Sequence, residues 1–411
     1  MRCGLIGERL GHSFSKEIHE KLGKYEYTLT ELSPEELAGF LRKRDFRGIN
    51  VTIPYKQAVI PFLDGISEAA GAIGAVNTIV CRDGRLYGDN TDFGGLEALI
   101  RRMGLDLRGK TVLIAGTGGT SRTARAVAGA LGAAEIHCLS RSGREGALTY
   151  SEAYERYPGA EILINTTPVG MFPRVEETPV DLARLPALEG VVDVVYNPLT
   201  TRLVREARAR GIPGENGLYM LVAQAQLAAE AFTGEHFGPE RTEEIWKELL
   251  REKRSLVLCG MPGSGKSTLG RLLSERLGRE LTDTDEEIVK RAGMSIPEIF
   301  RRWGEARFRD LETEVIREVS MTGGRIISTG GGAVLRQENT DALKMNGTLV
   351  FLDRPLETLL PTEDRPLADS AGKLRELYRE RTPIYASAAD LRLPVRGTPE
   401  ETTELLLEML K

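Results

Sequence analysis

The chain has 411 residues, 41% of them hydrophobic and 28% charged, and a formal net charge of −5. That length exceeds one ordinary core and predicts two or three domains. The composition is that of a water-soluble globular protein, without an apolar run long enough to span a bilayer. The charge is −2 over residues 1–254 and −3 over residues 255–411, so neither half offers the basic surface that bulk nucleic-acid binding needs.

The first stretch, MRCGLIGERL, lacks a basic segment followed by a long apolar one, so no export is expected and a cytoplasmic location is predicted. Cys3, Cys81, Cys138 and Cys259 stand singly in apolar, strand-like runs. Their spacing fits neither a metal site nor a disulfide framework, which predicts reduced core residues.

Residues 1 to about 100 read as a strand–helix unit of their own. LGHSFSKEIH puts Ser13 and Ser15 on a turn before a helix, where each alone reads as a cap. INVTIPYK alternates like a strand and ends in Asn50, Thr52 and Lys56, GAVNTIV carries Asn77, and GDNTDFGG places Asp92 at a helix start. Taken singly, Lys56 is a surface lysine and Asp92 a capping acid.

A new pattern begins at TVLIAGTGGTSRTARAVAGALG: strand, glycine turn, helix. Gly116, Gly118 and Gly119 give an incomplete G-x-G-x-x-G, in the setting that places a pyrophosphate on a helix N-terminus. Where an NAD-binding unit presents an acid, the next strand reads CLSRSGR, with Ser140, Arg141, Ser142 and Arg144. Arginine there suits a 2′-phosphate and favours NADP. The strands EILINTT and GVVDVVY follow, then the helix GLYMLVAQAQLAAEAF, expected to pack back on the N-terminal unit. The charge-rich helix TEEIWKELLREKRS closes this half, with a boundary near Lys253.

SLVLCG then feeds GMPGSGKST, where Gly260, Gly265, Lys266 and Ser267 complete G-x-x-x-x-G-K-[ST] between a strand and a helix. Its backbone N–H groups can turn onto phosphates, the lysine adds a cation, and the Ser267 hydroxyl can ligate Mg²⁺. In LTDTD, Asp283 and Asp285 are expected on one face of a strand end, one organising the metal's water shell and the other meeting an acceptor hydroxyl. Arg309 and Glu312, one helical turn apart, read as a surface ion pair. Gly330, Gly331 and Gly332 predict a close backbone approach to a ligand. Arg365 and Arg381 each sit near a proline. The alternation of apolar strands with helices predicts the α/β class with parallel sheets.

Residues 1 to about 250 resemble shikimate dehydrogenase in NVTIPYK, GAVNT, GDNTD, NTTPVGM, DVVYNP and NGLYMLVAQA, in that order. The resemblance implies an N-terminal α/β substrate domain over residues 1–100, rejoined by 216–250, and a Rossmann-type NADP domain over 101–215. It makes Ser13, Ser15, Asn50, Thr52, Asn77 and Gln224 hydrogen-bonding partners of the substrate, and Lys56 and Asp92 the catalytic pair. Tyr196 and the stretch 166–171 would line the nicotinamide side. Thr120 departs slightly from the family's glycine loop.

Residues 255–411 resemble shikimate kinase in the glycine loop, the aspartate pair, the triple glycine and the arginines, which implies a P-loop kinase domain over 254–411 with a parallel sheet. On that resemblance Arg309 and Arg381 clamp the substrate carboxylate, and Asp285 with Gly330 to Gly332 holds the ring hydroxyls. Asp283 and Ser267 position Mg²⁺, and Gly260, Gly263, Gly265, Lys266 and Thr268 seat ATP. Lys266, Asp285 and Arg365 stand closest to the chemistry, Arg365 on a lid. The stretch PLETLLPTEDRPL is short for such a lid and lacks an adenine-stacking arginine, which leaves Arg396 and Pro399 to border the base. The two resemblances together imply small-molecule substrates, NADP(H), ATP and Mg²⁺, and consecutive steps on one cyclic acid. A quinate-preferring dehydrogenase joined to the kinase, and a non-catalytic metabolite sensor, are the alternatives. Oligomeric state is left open.

Overall fold

The computed structural model describes residues 1–11, 13–359 and 370–410. The chain divides into two compact units, Met1–Glu248 and Leu249–Lys411, both α/β.

The first unit starts with strands β1 (Arg2–Gly7), β2 (Glu26–Glu31), β3 (Gly48–Val51), β4 (Gly65–Ile66), β5 (Thr78–Arg82) and β6 (Arg85–Asp89). They form one sheet in the order β2-β1-β3-β5-β6-β4, accompanied by helices α1 (Ser15–Leu22), α2 (Pro34–Lys43), α3 (Glu68–Ile73) and α4 (Thr91–Arg102). This sheet is mixed, where the sequence pattern predicts parallel strands throughout: β5 runs antiparallel to both β3 and β6. The β5–β6 reversal has a local cause: Asp83 (φ 50°) and Gly84 (φ 72°) form the two-residue Asp-Gly turn that reverses a strand tightly.

The second sheet holds β7 (Thr111–Ala115), β8 (Glu135–Ser140), β9 (Leu148–Thr149), β10 (Ile162–Asn165), β11 (Gly190–Asp193) and β12 (Gly214–Glu215). Its order is β12-β11-β10-β7-β8-β9, and every pair is parallel. Helices α5 (Gly119–Ala130), α6 (Tyr150–Arg156) and α7 (Arg202–Ala209) connect it. Strand order reverses at β7, and the crevice outside the carboxyl ends at such a point is where open α/β sheets take ligands. Then come α8 (Leu218–Thr233) and α9 (Pro239–Lys253). Helix α8 buries most of its surface, packing on α4, α1 and β3.

The second unit is one parallel sheet of β13 (Ser255–Cys259), β14 (Leu281–Asp283), β15 (Ile326–Ser328), β16 (Gly347–Asp353) and β17 (Leu391–Pro394), in the order β14-β15-β13-β16-β17. Around it lie α10 (Lys266–Leu277), α11 (Thr284–Ala292), α12 (Ile296–Ser320), α13 (Gln337–Asn346), α14 (Ala371–Ala388) and α15 (Pro399–Met409). Helix α12 breaks at Gly304 (φ 78°, ψ 173°).

Of the four thiols, Cys3 and Cys259 are buried, while Cys81 and Cys138 are only partly covered. His19 is a core residue: its Nδ1 lies 2.6 Å from the Tyr25 hydroxyl and its ring stacks 3.9 Å from Tyr27. Burial pushes its pKa down to about 3. An unfolded chain protonates this histidine below pH ~6.5 whereas the folded one does not, so folding stability falls as pH drops from there toward 3, by up to about 1.4 kcal/mol per unit. His19→Phe is expected to flatten that slope, read from urea unfolding of the first unit at pH 7, 6 and 5.

Candidate active sites

In the first unit a cavity of about 420 Å³ opens at the carboxyl ends of β1 and β3. Ser13, Ser15, Asn50, Thr52, Lys56, Asn77, Asp92 and Gln224 all line it, with Thr120, Met171 and Tyr196. Lys56 follows β3 in a turn rather than ending the strand, and its backbone oxygen accepts from Val76 N at 2.7 Å. Asp92 stands in the first turn of α4, two residues after the N-cap Asn90, so it is not itself the cap. The Lys56 Nζ lies 2.5 Å from Asp92 Oδ2, both side chains more than four-fifths covered.

The remaining polar walls are held from behind. Asn50 Oδ1 accepts from the Tyr27 hydroxyl at 2.7 Å, and its Nδ2 donates to Thr78 Oγ1 at 3.1 Å. Asn77 Oδ1 accepts from Thr91 N at 2.7 Å. Ser13 and Ser15 join hydroxyl to hydroxyl at 3.0 Å; the N-cap of α1 is Phe14 and neither serine caps it. Gln224 reaches the cavity because α4 and α8 touch at Gly95, where a Cβ would lie 2.7 Å from Met220 O and 2.9 Å from Gln224 Cβ. Arg9 also lines this cavity, a cation that the sequence motifs do not single out.

The glycine loop between β7 and α5 lies alongside. Gly116 has φ 117°, and a Cβ there would meet Thr166 Oγ1 at 2.5 Å. Gly118 is the N-cap of α5, and around Gly118 and Gly119 an added Cβ would meet nothing within 4 Å. That leaves room at the helix N-terminus for a pyrophosphate. Ser140 Oγ is buried with no hydrogen-bond partner, while Arg141, Ser142 and Arg144 are exposed. A further cavity of about 520 Å³ beside the loop is lined by Thr117, Ser121, Arg122 and Arg125, two more arginines absent from the sequence reading.

In the second unit a cavity of about 540 Å³ is lined by Gly263, Gly265, Lys266, Ser267, Thr268, Asp283, Asp285, Arg309, Gly330 to Gly332 and Arg381. Gly260, Gly263 and Gly265 take φ of 142°, 79° and 99°, backbone that only glycine adopts freely. Lys266 Nζ donates to Gly260 O and Met261 O, each at 3.0 Å. Ser267 Oγ donates to Asp283 Oδ2 at 3.0 Å.

The two aspartates do not share a strand face. Asp283 ends β14 and caps α11, its Oδ1 accepting from Asp285 N at 3.0 Å, and Asp285 is already helical. The helix begins at Thr284, two residues earlier than the strand reading allows, yet both side chains still meet the same cavity. Arg309 and Glu312 are likewise no surface pair. Glu312 is fully buried, its Oε2 accepting from Arg309 Nη1 at 2.8 Å, and burial pushes its carboxyl up against the pull of Arg309.

The triple glycine is needed for steric reasons, since none of the three has a positive φ. A Cβ on Gly330 would lie 2.6 Å from Asp285 Oδ1 and 3.0 Å from Glu312 Oε1, and one on Gly332 would lie 2.1 Å from Arg309 Nη1. The Gly331 oxygen accepts from Arg381 Nη1 at 3.2 Å and from the Tyr385 hydroxyl. Glu312 thus braces Arg309 under the loop. We expect Glu312→Ala to raise the KM for the kinase substrate about tenfold by freeing Arg309, with the KM for nucleotide within twofold, as read by coupled ADP release.

Arg365 lies outside the described residues. Thr398 is the N-cap of α15, in a capping box with Glu401, while Pro399 lines a small adjoining pocket that includes Arg354. Arg354 also lines the main cavity; at the end of a strand it carries no motif that would flag it.

A glycine loop beside a lysine–carboxylate cavity and a P-loop beside an arginine–carboxylate cavity define two nucleotide-using α/β enzyme units. Residues 5–79 match the family model for the shikimate dehydrogenase substrate binding domain, and residues 262–411 match that for shikimate kinase. A shikimate dehydrogenase (NADP(+)) of Geobacillus kaustophilus is 41% identical over 270 residues, 60% of this chain and 98% of the relative. One from Halothermothrix orenii is 38% identical over 261 residues, 56% of this chain and 90% of the relative. Among solved structures, shikimate 5-dehydrogenase of Thermus thermophilus in complex with NADP(H) and shikimate is 32% identical, with a TM-score of 0.55 over 60% of this chain and 99% of that one. A chorismate mutase/shikimate 5-dehydrogenase fusion from Clostridium acetobutylicum gives 32% and 0.58, over 60% and 96%. The chain belongs to the shikimate dehydrogenase family and carries a shikimate kinase domain at its C-terminal end.

Among the described residues no helix is long and apolar enough to cross a membrane.

Proposed function

We propose that the chain catalyses two consecutive steps: NADPH-dependent reduction of 3-dehydroshikimate to shikimate in the first unit, and ATP-dependent phosphorylation of the shikimate 3-hydroxyl in the second. The carrying observation is that each nucleotide loop opens beside a cavity lined with donors and acceptors for a small polyhydroxylated acid.

In the first unit NADPH supplies the hydride. Ser13 and Ser15 hold the carboxylate, and Asn50, Thr52, Asn77 and Gln224 hold the ring hydroxyls. Lys56 sits over the carbonyl oxygen and gives it a proton as negative charge develops there, and Asp92, 2.5 Å away, keeps the ammonium aimed. The seat beside Gly116, Gly118 and Gly119 takes the pyrophosphate, with Ser140, Arg141 and Ser142 toward the 2′-phosphate and Tyr196 along the nicotinamide.

In the second unit MgATP supplies the phosphoryl group. Arg309 and Arg381 fork onto the carboxylate, Asp285 accepts the proton of the attacking hydroxyl, and Lys266 neutralises phosphate charge. Ser267 and Asp283 are oxygen donors suited to Mg²⁺. Bound there, Mg²⁺ would take these oxygens together with phosphate and water oxygens, as is usual for this ion, and would neutralise phosphate charge.

The test is direct. Purified protein with shikimate and NADP should produce NADPH, and with shikimate and MgATP should release ADP; quinate should be turned over more slowly than shikimate. Faster quinate oxidation would replace the substrate assignment. Silence in both assays from folded protein would leave a sensor.

A further inference from the structure

Asp193, the last residue of β11, is fully buried and does not line the cavity. Its Oδ1 accepts from Asn165 Nδ2 at 2.9 Å and from Val195 N at 3.1 Å, and its Oδ2 accepts from Thr201 Oγ1 at 2.7 Å. Those donors stand at the carboxyl end of the sheet: Asn165 is the last residue of β10, and Val195 and Thr201 open and close the connection from β11 to α7.

Each bond continues outward. Asn165 Oδ1 accepts from Thr167 N at 3.0 Å and from Thr167 Oγ1 at 2.7 Å, and Thr167 Oγ1 accepts from Val169 N at 3.3 Å. The Thr166 hydroxyl donates to Ala115 O at 2.7 Å, just before Gly116 of the nucleotide loop. On the other side Val195 O accepts from Gly217 N at 3.0 Å. The loops tied this way carry Met171, Val194 and Tyr196, all lining the cavity.

Three neutral donors converging on one group call for an acceptor-only side chain, which a carboxylate is and an amide is not. Placing a charge in the interior costs free energy that a purely structural residue need not spend. We propose that Asp193 is a positioning residue for hydride transfer, fixing the loops after β10 and β11 as one wall against the nicotinamide. Burial pushes its pKa up to about 6, against the pull of the Thr201, Val195 and Asn165 donors, which favour the carboxylate. The inference rests on the reading of Met171 and Tyr196 as the nicotinamide side.

Asp193→Asn keeps the volume and turns an NH₂ toward the Thr201 hydroxyl, whose oxygen can accept it. It is expected to raise the KM for NADPH about fivefold and lower kcat about tenfold, since small misplacements of a reacting pair are costly. The KM for 3-dehydroshikimate and ADP release by the second unit should stay within twofold. Thr167→Val, one bond further out and only partly buried, should move the same two parameters less. Values of kcat and NADPH KM within twofold of the parent in both variants would overturn the proposal, as would an equal rise in both substrates' KM. Met171→Ala tests the wall itself: if it leaves NADPH KM and kcat unchanged, the nicotinamide assignment fails whatever Asp193 does.

Discussion

Lys56→Ala is expected to lower dehydrogenase turnover by roughly 10³-fold, within the range that a positioned proton donor contributes, while ADP release by the same preparation stays within twofold. On the proposed assignment the lysine provides both a proton and a positive charge where the carbonyl oxygen becomes alkoxide-like. Asp92, 2.5 Å from it, provides neither. Removing the lysine also leaves the Asp92 carboxylate mostly covered and without its cation, so some loss of stability is expected, on the order of 1–3 kcal/mol. Thermal unfolding separates that from catalysis: the loss in turnover should persist well below the melting temperature. Full retention of hydride transfer would remove Lys56 from the mechanism.

Lys266→Ala should give the mirror result. Its ammonium sits within the P-loop, 3.0 Å from two backbone oxygens of that loop, where a bound nucleotide places its phosphates. Loss of that charge should reduce phosphoryl transfer by roughly 10²–10³-fold, the scale of one preorganised electrostatic donor. NADPH formation from shikimate should be unaffected. The pair of variants is most informative together. If either abolished both activities in folded protein, the assignment of separate sites would be wrong.

What the sequence reveals depends on how local the chemistry is. The P-loop is legible because all its parts fall within nine residues, and glycine, lysine and serine have few other reasons to stand at that spacing. The Asp283 and Asp285 pair is misread because a helix start and a strand end look alike over five residues; the capping bond from Asp285 N to Asp283 decides between them. For Arg309 and Glu312 the three-residue spacing is right, yet spacing on a helix says nothing about which side faces the core. The fully buried carboxylate emerges only when the triple glycine and α12 are seen to close over it. The Asp83–Gly84 turn carried a legible hairpin signal, and with it the mixed first sheet, which the strand–helix alternation elsewhere conceals. Lys56 and Asp92, and Asp193 with Asn165 and Thr201, are joined by tertiary structure alone, and residue order offers no physical clue that they meet.

The contact between α4 and α8 at Gly95 has an implication for how this enzyme could diversify. Asp92 and Gln224 ride on those two helices, and their separation is set by a residue with no side chain that does not itself line the cavity. A single methyl there would wedge the helices apart and re-space an acid and an amide at once. Altered preference among related sugar-like acids could therefore arise without any change in the residues that touch them, and a search for such variants confined to the cavity wall would overlook the position.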